Sequence, residues 1–383
     1  MDFGFSEDQK MIQASIRDFL DKECPSDKVR ELEATEKGYD PELWRKMADL
    51  GYLGIHLPEE YQGTGGDFLD LMILMEELGR KLLPSPFFST ISLCSIPLLV
   101  YGNPEQKKRF LPDIASGKKI WTLAFTELSD LCKASEVKLQ GRLEKESFLL
   151  SGTKLFVPYG HVADHLLVVA RTDGKDEEGI TLFIVDGHSP DLRLEMMPTT
   201  AHDQQYEIHF NKARVPRTEL LGKEGEGWGI LNFILQRGTV LKCAEMLGGA
   251  QGALDITTDY AKKRAQFNRP IGSFQAIQHK LADLLIDVEG LRYLVYQAAW
   301  GINIGSPSPL LISMAKARAN EVYQRTCIDG IKTHGALGFT REQDIGLYYI
   351  RTKASEFTLG SSDFHKERIA EELDRYQPPQ LLG

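Results

Sequence analysis

The sequence lacks several features that would classify it at once. Its 383 residues include five cysteines, Cys24, Cys94, Cys132, Cys243 and Cys327, with no Cys-x-x-Cys pair among them. An odd, dispersed set argues against a disulfide framework or a thiolate zinc site and fits reduced thiols in a cytoplasmic protein. No metal site is expected. The longest apolar stretch, Ile91 to Val100, falls well short of the ~20 residues that span a bilayer, so no membrane insertion is expected. Met1 to Lys10 is acidic and polar, unlike a signal peptide. Positive charge is also in short supply: 45 Lys and Arg face 55 Asp and Glu, a net charge of -10. Such a surface repels phosphate backbones, which argues against a nucleic-acid partner. The glycine-rich stretch Pro58 to Gly66 lacks the G-x-G-x-x-G spacing and follows no strand, so it reads as a connector.

What is present is an ordinary globular composition, 42% hydrophobic and 26% charged, in a chain long enough for two or three domains. The first part reads as helical. Ser6 suits an N-cap before an amphipathic run through Phe19, and Pro41 to Leu50 and Phe68 to Leu82 keep helical spacing. From Ile120 the pattern shortens into β-rich runs, Trp121 to Phe125, Phe148 to Ser151, His165 to Ala170 and Thr181 to Val185, separated by turn residues. A glycine-rich hinge, Gly222 to Gly227, leads into long helical segments, Trp228 to Gln266, Gln275 to Ile304 and Leu310 to Gly335. Helices this long must bury their apolar faces against one another or against another subunit. Three domains are therefore expected, over residues 1–118, 119–222 and 223–383.

The order of helices, strands and helices meets a long motif in the last third. Residues 264–283 run R-A-Q-F-N-R-P-I-G-S-F-Q-A-I-Q-H-K-L-A-D. This resembles the R-x-Q-F-G-x-P-I-x-x-F-Q pattern of the acyl-CoA dehydrogenases, with Asn268 in place of glycine. Thr126-Glu127, Lys154-Leu-Phe156-Val-Pro158 and His334-Gly335-Ala-Leu-Gly338 match further family segments in order, so the resemblance covers essentially the whole chain. It implies an α+β fold with an N-terminal helical domain, a middle antiparallel β-barrel domain and a C-terminal four-helix bundle. It also implies FAD, an acyl-CoA substrate, an electron-transfer flavoprotein or similar acceptor, and a homotetramer or heterotetramer. By the same resemblance Arg264, Gln266, Phe267, Phe274, Gln275, Lys332, Gly335 and Gly338 hold the dinucleotide. Thr126, Cys132, Phe156, Pro158, Ser361 and Asp363 also bind the cofactor, Asp363 toward its far end, and Arg237, Leu359 and Gly360 line the substrate. An arginine suits a pyrophosphate because its charge is permanent and its fork binds two oxygens.

The resemblance breaks where the chemistry should be. Dehydrogenation of an acyl-CoA needs a base for the α-proton and a hydride acceptor for the β-carbon. The family's two positions for that glutamate fall on Leu359 and Gln236, and neither side chain accepts a proton. No catalytic base is assigned. Asp363, Tyr159 and Glu127 are poor substitutes, Tyr159 because a phenol near pKa 10 is a weak base. Around the flavin, Leu131-Cys132-Lys133 stands where the family has G-S-D, and Pro158 where it has threonine. Three readings stay open. One is an acyl-CoA dehydrogenase that oxidises the α,β or a vinylogous bond of an unusual acyl chain with a base from elsewhere. Another is a base-less, FAD-sharing subunit of a heteromeric enzyme. The third is a non-redox elimination on a CoA ester.

Overall fold

The structure, a computed structural model, describes residues 4–128 and 133–375. The helices of the first part are α1 (Glu7–Glu23), α2 (Ser26–Glu33), α3 (Pro41–Asp49), α4 (Phe68–Lys81), α5 (Ile96–Tyr101) and α6 (Pro104–Ala115). A π-helix, Phe88–Ser95, runs directly into α5. The strands are β1 (Trp121–Ala124), β2 (Gln140–Glu144), β3 (Ser147–Pro158), β4 (His165–Arg171), β5 (Ile180–Asp186), β6 (Leu192–Met197), β7 (Gln205–Pro216) and β8 (Leu220–Leu221). Helix α7 (Gly227–Lys263) follows, then the short strands β9 (Ala265–Gln266) and β10 (Arg269–Pro270). Helices α8 (Gln275–Asn303), α9 (Pro309–His334), α10 (Ile345–Phe357) and α11 (Ser362–Arg375) complete the chain. Among the described residues no helix is long and apolar enough to cross a membrane.

Packing sorts the chain into two compact units that interleave in sequence. A β-containing unit takes Asp27–Asp67 and Pro84–Gly238, and a helical unit takes Met1–Ser26, Phe68–Leu83 and Thr239–Gly383.

In the β-containing unit the strands run in the order β6-β7-β3-β2-β4-β5-β8, with β1 beside β4. Most neighbours are antiparallel, as expected, but β1 and β2 pair with β4 in parallel. Among the described residues the pairing path ends on β6 and on the two-residue β8, so the strands form one sheet in which no closed barrel is assigned. Along β7, Tyr206, Ile208 and Phe210 turn inward to a core with Phe148, Leu150, Val168 and Phe183. Glu207 and His209 alternate with them on the other face, the period-2 pattern of a half-buried strand.

In the helical unit α1 starts on the predicted cap: the Ser6 hydroxyl accepts from the Gln9 N–H, and the Gln9 side chain accepts from the Ser6 N–H, both at 3.1 Å. Helices α4 and α7 cross with backbones almost touching. A Cβ on Gly79 would lie 1.8 Å from the Glu245 carbonyl oxygen, and one on Gly248 1.8 Å from that of Glu76. The Glu76 and Glu77 side chains are buried there and fully engaged. Glu77 takes Arg17 and Arg80, while Glu76 takes Arg292 and the Tyr296 hydroxyl at 2.8 Å. One predicted boundary moves. Helix α7 ends at Lys263 rather than Gln266, because Arg264 to Pro270 folds into a hairpin.

Candidate active site

The matched residues fall into clusters, each lying within one unit. In the β-containing unit the organising group is Lys154, fully buried on β3. Its Nζ lies 2.6 Å from Glu127 Oε1 and 3.1 Å from the Phe125 carbonyl oxygen. Burial draws its pKa down to about 8, while the Glu127 carboxylate pulls it the other way. Glu127 also accepts the N–H groups of Lys138 at 2.8 Å and Leu139 at 3.1 Å. Its oxygens are thus committed to structure rather than to proton transfer. The Leu155 N–H donates to the Thr126 carbonyl at 2.9 Å, so the Thr126-Glu127 segment is tied to the Lys154–Phe156 strand.

The strand then bulges. Its register against β7 shifts between Lys154 and Val157, and Phe156 sits there at φ 50°, the residue 53% exposed. A bulge re-aims a side chain, here an aromatic one held out of the core. Pro158 accepts the Thr122 hydroxyl at 2.6 Å through its carbonyl and has no N–H to offer a ligand. The Tyr159 hydroxyl donates to the Gly38 carbonyl at 3.1 Å, which commits it to packing. Near the end of this unit Gln236 and Arg237 are half-buried. The Arg237 guanidinium lies 3.4 Å over the Phe233 ring, and burial lowers its pKa below the ordinary value. Cys132 lies outside the described residues.

In the helical unit, Arg264, Gln266, Phe267 and Gln275 are exposed and Phe274 is half-buried. Gln266 pairs with Arg269 across a two-residue turn, and Phe267 and Asn268 both have positive φ, 54° and 64°. A type I′ hairpin requires this at both central residues, which accounts for Asn268: asparagine is among the side chains that tolerate the left-handed region. Phe267 is 86% exposed and edge-on to Phe274, with Arg269 4.0 Å over the Phe274 ring. Tyr260 joins this hairpin to the second matched turn. Its carbonyl accepts the Arg264 N–H at 2.8 Å, while its ring stacks on His334 at 4.1 Å. Gly335 ends α9 at φ 65°, and Gly338 packs where a Cβ would meet the Ile331 carbonyl at 2.8 Å. Lys332 is exposed and paired with Asp329. The structure therefore brings Arg264, Gly335 and their neighbours together around Tyr260, a residue that sequence reading missed.

The third cluster surrounds Leu359. This residue is left-handed at φ 60°, followed by Gly360 at φ 114°. The His365 Nε2 donates to the Leu359 carbonyl at 3.0 Å. The Lys316 Nζ lies 3.2 Å from the Gly360 carbonyl, 3.0 Å from that of Ser355 and 3.2 Å from that of Glu356. Ser361 caps α11 by accepting the Phe364 N–H, and Asp363 in its first turn is exposed. Sequence reading also missed Lys316 and His365. The available signal was position: Lys316 stands with Ile312, Ala319 and Tyr323 on the apolar face of α9, where a lysine must be buried.

No carboxylate stands at position 359 or 236. The hairpin's chemistry fits a dinucleotide: a permanent cation, two side-chain amides and an aromatic ring left in solvent. Pro158 fits less well, since it withholds the N–H that any other residue would present.

The chain matches the acyl-CoA dehydrogenase N-terminal domain over residues 6–118, the middle domain over 122–213 and the C-terminal domain over 225–373. It is 33% identical over 373 residues to the caffeyl-CoA reductase-Etf complex subunit CarC of Acetobacterium woodii, covering 96% of this chain and 98% of that one. The solved butyryl-CoA dehydrogenase of Megasphaera elsdenii superposes with a TM-score of 0.92 at 30% identity, covering 98% of this chain and 100% of that one. The solved ChsE4-ChsE5 complex from Mycobacterium tuberculosis contains a chain with a TM-score of 0.90 at 30% identity, covering 99% and 100%. FAD is the cofactor these likenesses imply. The chain is a flavin oxidoreductase and belongs to the acyl-CoA dehydrogenase family.

Proposed function

We propose that this chain is the base-less subunit of a heteromeric acyl-CoA dehydrogenase, acting on the α,β bond of an unusual acyl-CoA with a glutamate supplied by a partner chain. The observation that carries the reading is an asymmetry between two sets of matched residues. The segment from Arg264 to Gln275 keeps its cation, its amides and both aromatics: Gln266 and Phe267 sit on an exposed hairpin, Phe274 is half-buried and Gln275 opens α8. The residues that would serve chemistry are altered: Leu359 and Gln236 accept no proton, and Pro158 has no N–H. A chain of this kind keeps what it lends and loses what it would use itself.

In this reading Arg264, Gln266, Gln275, Phe267 and Phe274, with Gly335, Gly338 and Lys332, hold the dinucleotide half of FAD. The resemblance assigns Thr126, Phe156 and Pro158 a role at the flavin, Ser361 and Asp363 a role at the cofactor, and Arg237, Leu359 and Gly360 a role at the acyl thioester. Bound flavin supplies the acceptor for the hydride that leaves the β-carbon. The protein's part is to orient the ester and shield it from water. Leu359 adds an apolar wall where the family has a carboxylate, so the α-proton must leave to a group on another chain.

The likeness to a chain of the ChsE4-ChsE5 complex supports a second subunit. The reductase name of the Acetobacterium relative supports an acyl group other than a simple straight chain, and its Etf complex supports an electron-transfer flavoprotein as acceptor. Helix α8 leaves Ile286, Tyr293 and Trp300 exposed at seven-residue intervals, a stripe suited to helix packing between chains of a tetramer.

The test is flavin content with and without a glutamate-bearing family chain co-expressed. The expected result is weak flavin retention alone, restored in the mixed assembly together with flavin bleaching by acyl-CoA esters. Full flavin occupancy and rapid bleaching by this chain alone would instead favour an independent enzyme with its base elsewhere. Consumption of the ester with the flavin still oxidised would favour a non-redox elimination.

A further inference from the structure

Leu359 is a bulky residue, unbranched at Cβ, held at φ 60°, a conformation that L side chains adopt at some cost in energy. Such a conformation persists only where the surroundings impose it. Two buried side chains from different helices do so here. From α11, His365 is 3% exposed and its Nε2 donates to the Leu359 carbonyl at 3.0 Å, which fixes the Nε2–H tautomer. From α9, Lys316 is wholly buried and reaches the next carbonyl, that of Gly360, at 3.2 Å. Its remaining contacts are Asn320 Oδ1 at 2.7 Å and the Ser355 and Glu356 carbonyls at 3.0 and 3.2 Å. The last two belong to the C-terminal turn of α10, whose final carbonyls have no intrahelical partner and carry the negative end of the helix dipole. Thus one ammonium caps α10 and grips the turn that follows it. The glycine is part of the same fit, because a Cβ at 360 would lie 2.5 Å from the Phe364 ring and 2.7 Å from His365 Nε2.

We propose that Lys316 and His365 are positioning residues that clamp consecutive carbonyls, Leu359 and Gly360, and so fix the direction of whatever side chain occupies position 359. A buried ammonium with four oxygen neighbours is costly to build for shape alone, since a methionine would fill the same space without desolvating a charge. The clamp preserves an orientation although the present occupant, leucine, carries no chemistry. The link to catalysis rests on the reading under Proposed function, whereas the clamp itself does not.

The decisive measurement is amide hydrogen exchange over residues 358–361 of the full-length chain, in wild type, Lys316→Met and His365→Phe. Each substitution is expected to speed exchange there by about tenfold or more, with protection in β3 and β7 unchanged. Wild-type protection of 358–361 in both variants overturns the clamp. If Lys316→Met does not fold, His365→Phe alone decides it. A second arm uses Leu359→Glu, saturated with added FAD, with a simple acyl-CoA. Adding Lys316→Met to that variant is expected to lower kcat by about ten- to a hundredfold with KM little changed, the pattern of a displaced catalytic group. An equal kcat in the single and double variants counts against the positioning role. An inactive Leu359→Glu with slow exchange at 358–361 leaves the clamp standing and counts against the functional reading instead.

Discussion

Gly79 of α4 meets Glu245 of α7 backbone to backbone, closer than any side chain would allow, and Gly248 meets Glu76 in the same way one turn along α7. Alanine at either glycine must push the helices apart and disturb the Glu76 and Glu77 ion pairs beside them. Gly79→Ala or Gly248→Ala is expected to destabilise by about 2 kcal/mol or more, beyond the usual range for overpacking because the obstacle is backbone. Urea unfolding of either variant checks this. A change below about 0.5 kcal/mol, typical of a neutral surface site, would refute it.

Removal of Lys154 leaves the half-buried Glu127 carboxylate with only two backbone donors. Lys154→Met is expected to cost about 3 kcal/mol, the low end for breaking a buried pair. Lys154→Met with Glu127→Gln is expected to recover part of the loss, because an amide tolerates burial better than an unpaired charge. Chemical denaturation of the single and double variants, compared as a cycle, measures that coupling.

His365 and His56 are both held neutral by burial, which lowers each pKa from 6.5 to about 4. The unfolded chain takes up these protons near pH 6.5, and the folded chain resists them until about pH 4. Their contribution to stability is therefore complete above 6.5 and is lost as pH falls through that window. At 1.36 kcal/mol per pKa unit, each histidine can account for up to about 3 kcal/mol. Unfolding curves at pH 7.5, 5.5 and 4.5 should show the decline. His365→Asn should remove its share of the slope, and an unchanged slope in that variant would show that His365 does not contribute.

Restoration of a carboxylate is the functional counterpart. Leu359→Glu is expected to raise α,β-dehydrogenation of a simple acyl-CoA, within the 10²–10⁴ that a general base contributes. Rapid reduction of the wild-type flavin by butyryl- or octanoyl-CoA, with no partner present, would show that a base is already in place. Arg264→Ala should weaken flavin retention without lowering the Tm of the flavin-free chain, since Arg264 is exposed.

Local features were legible in the sequence wherever one element determined them. Ser6 capped α1 as read, and the spans of α8 and α9 agreed within a residue or so, because periodicity and capping are properties of the segment itself. Features set by distant contacts were not. Strands β6 and β7 alternate apolar with charged residues, so a search for apolar runs passed over them. The π-helix Phe88–Ser95 has no pattern that separates it from an α-helix, since its widened turn answers to packing. Of the candidate site, the hairpin and the two missing carboxylates could be read by resemblance. The burial of Lys316 could have been read from its place on the apolar face of α9, but its grip on residue 360 could not, because the carbonyls it meets come from a distant segment.

The hairpin of β9 and β10 carries a consequence for assembly. Its type I′ turn, with Arg269 and Phe267 packed on Phe274, is already ordered in the isolated chain. The conformational entropy of presenting Phe267 and Arg264 is spent during folding, so a ligand or chain docking there meets a prearranged surface. Association at this site should consequently show little of the slow, temperature-sensitive ordering that accompanies binding to a loose loop. Its lifetime should depend on the contacts themselves, above all on how completely Phe267 is withdrawn from water.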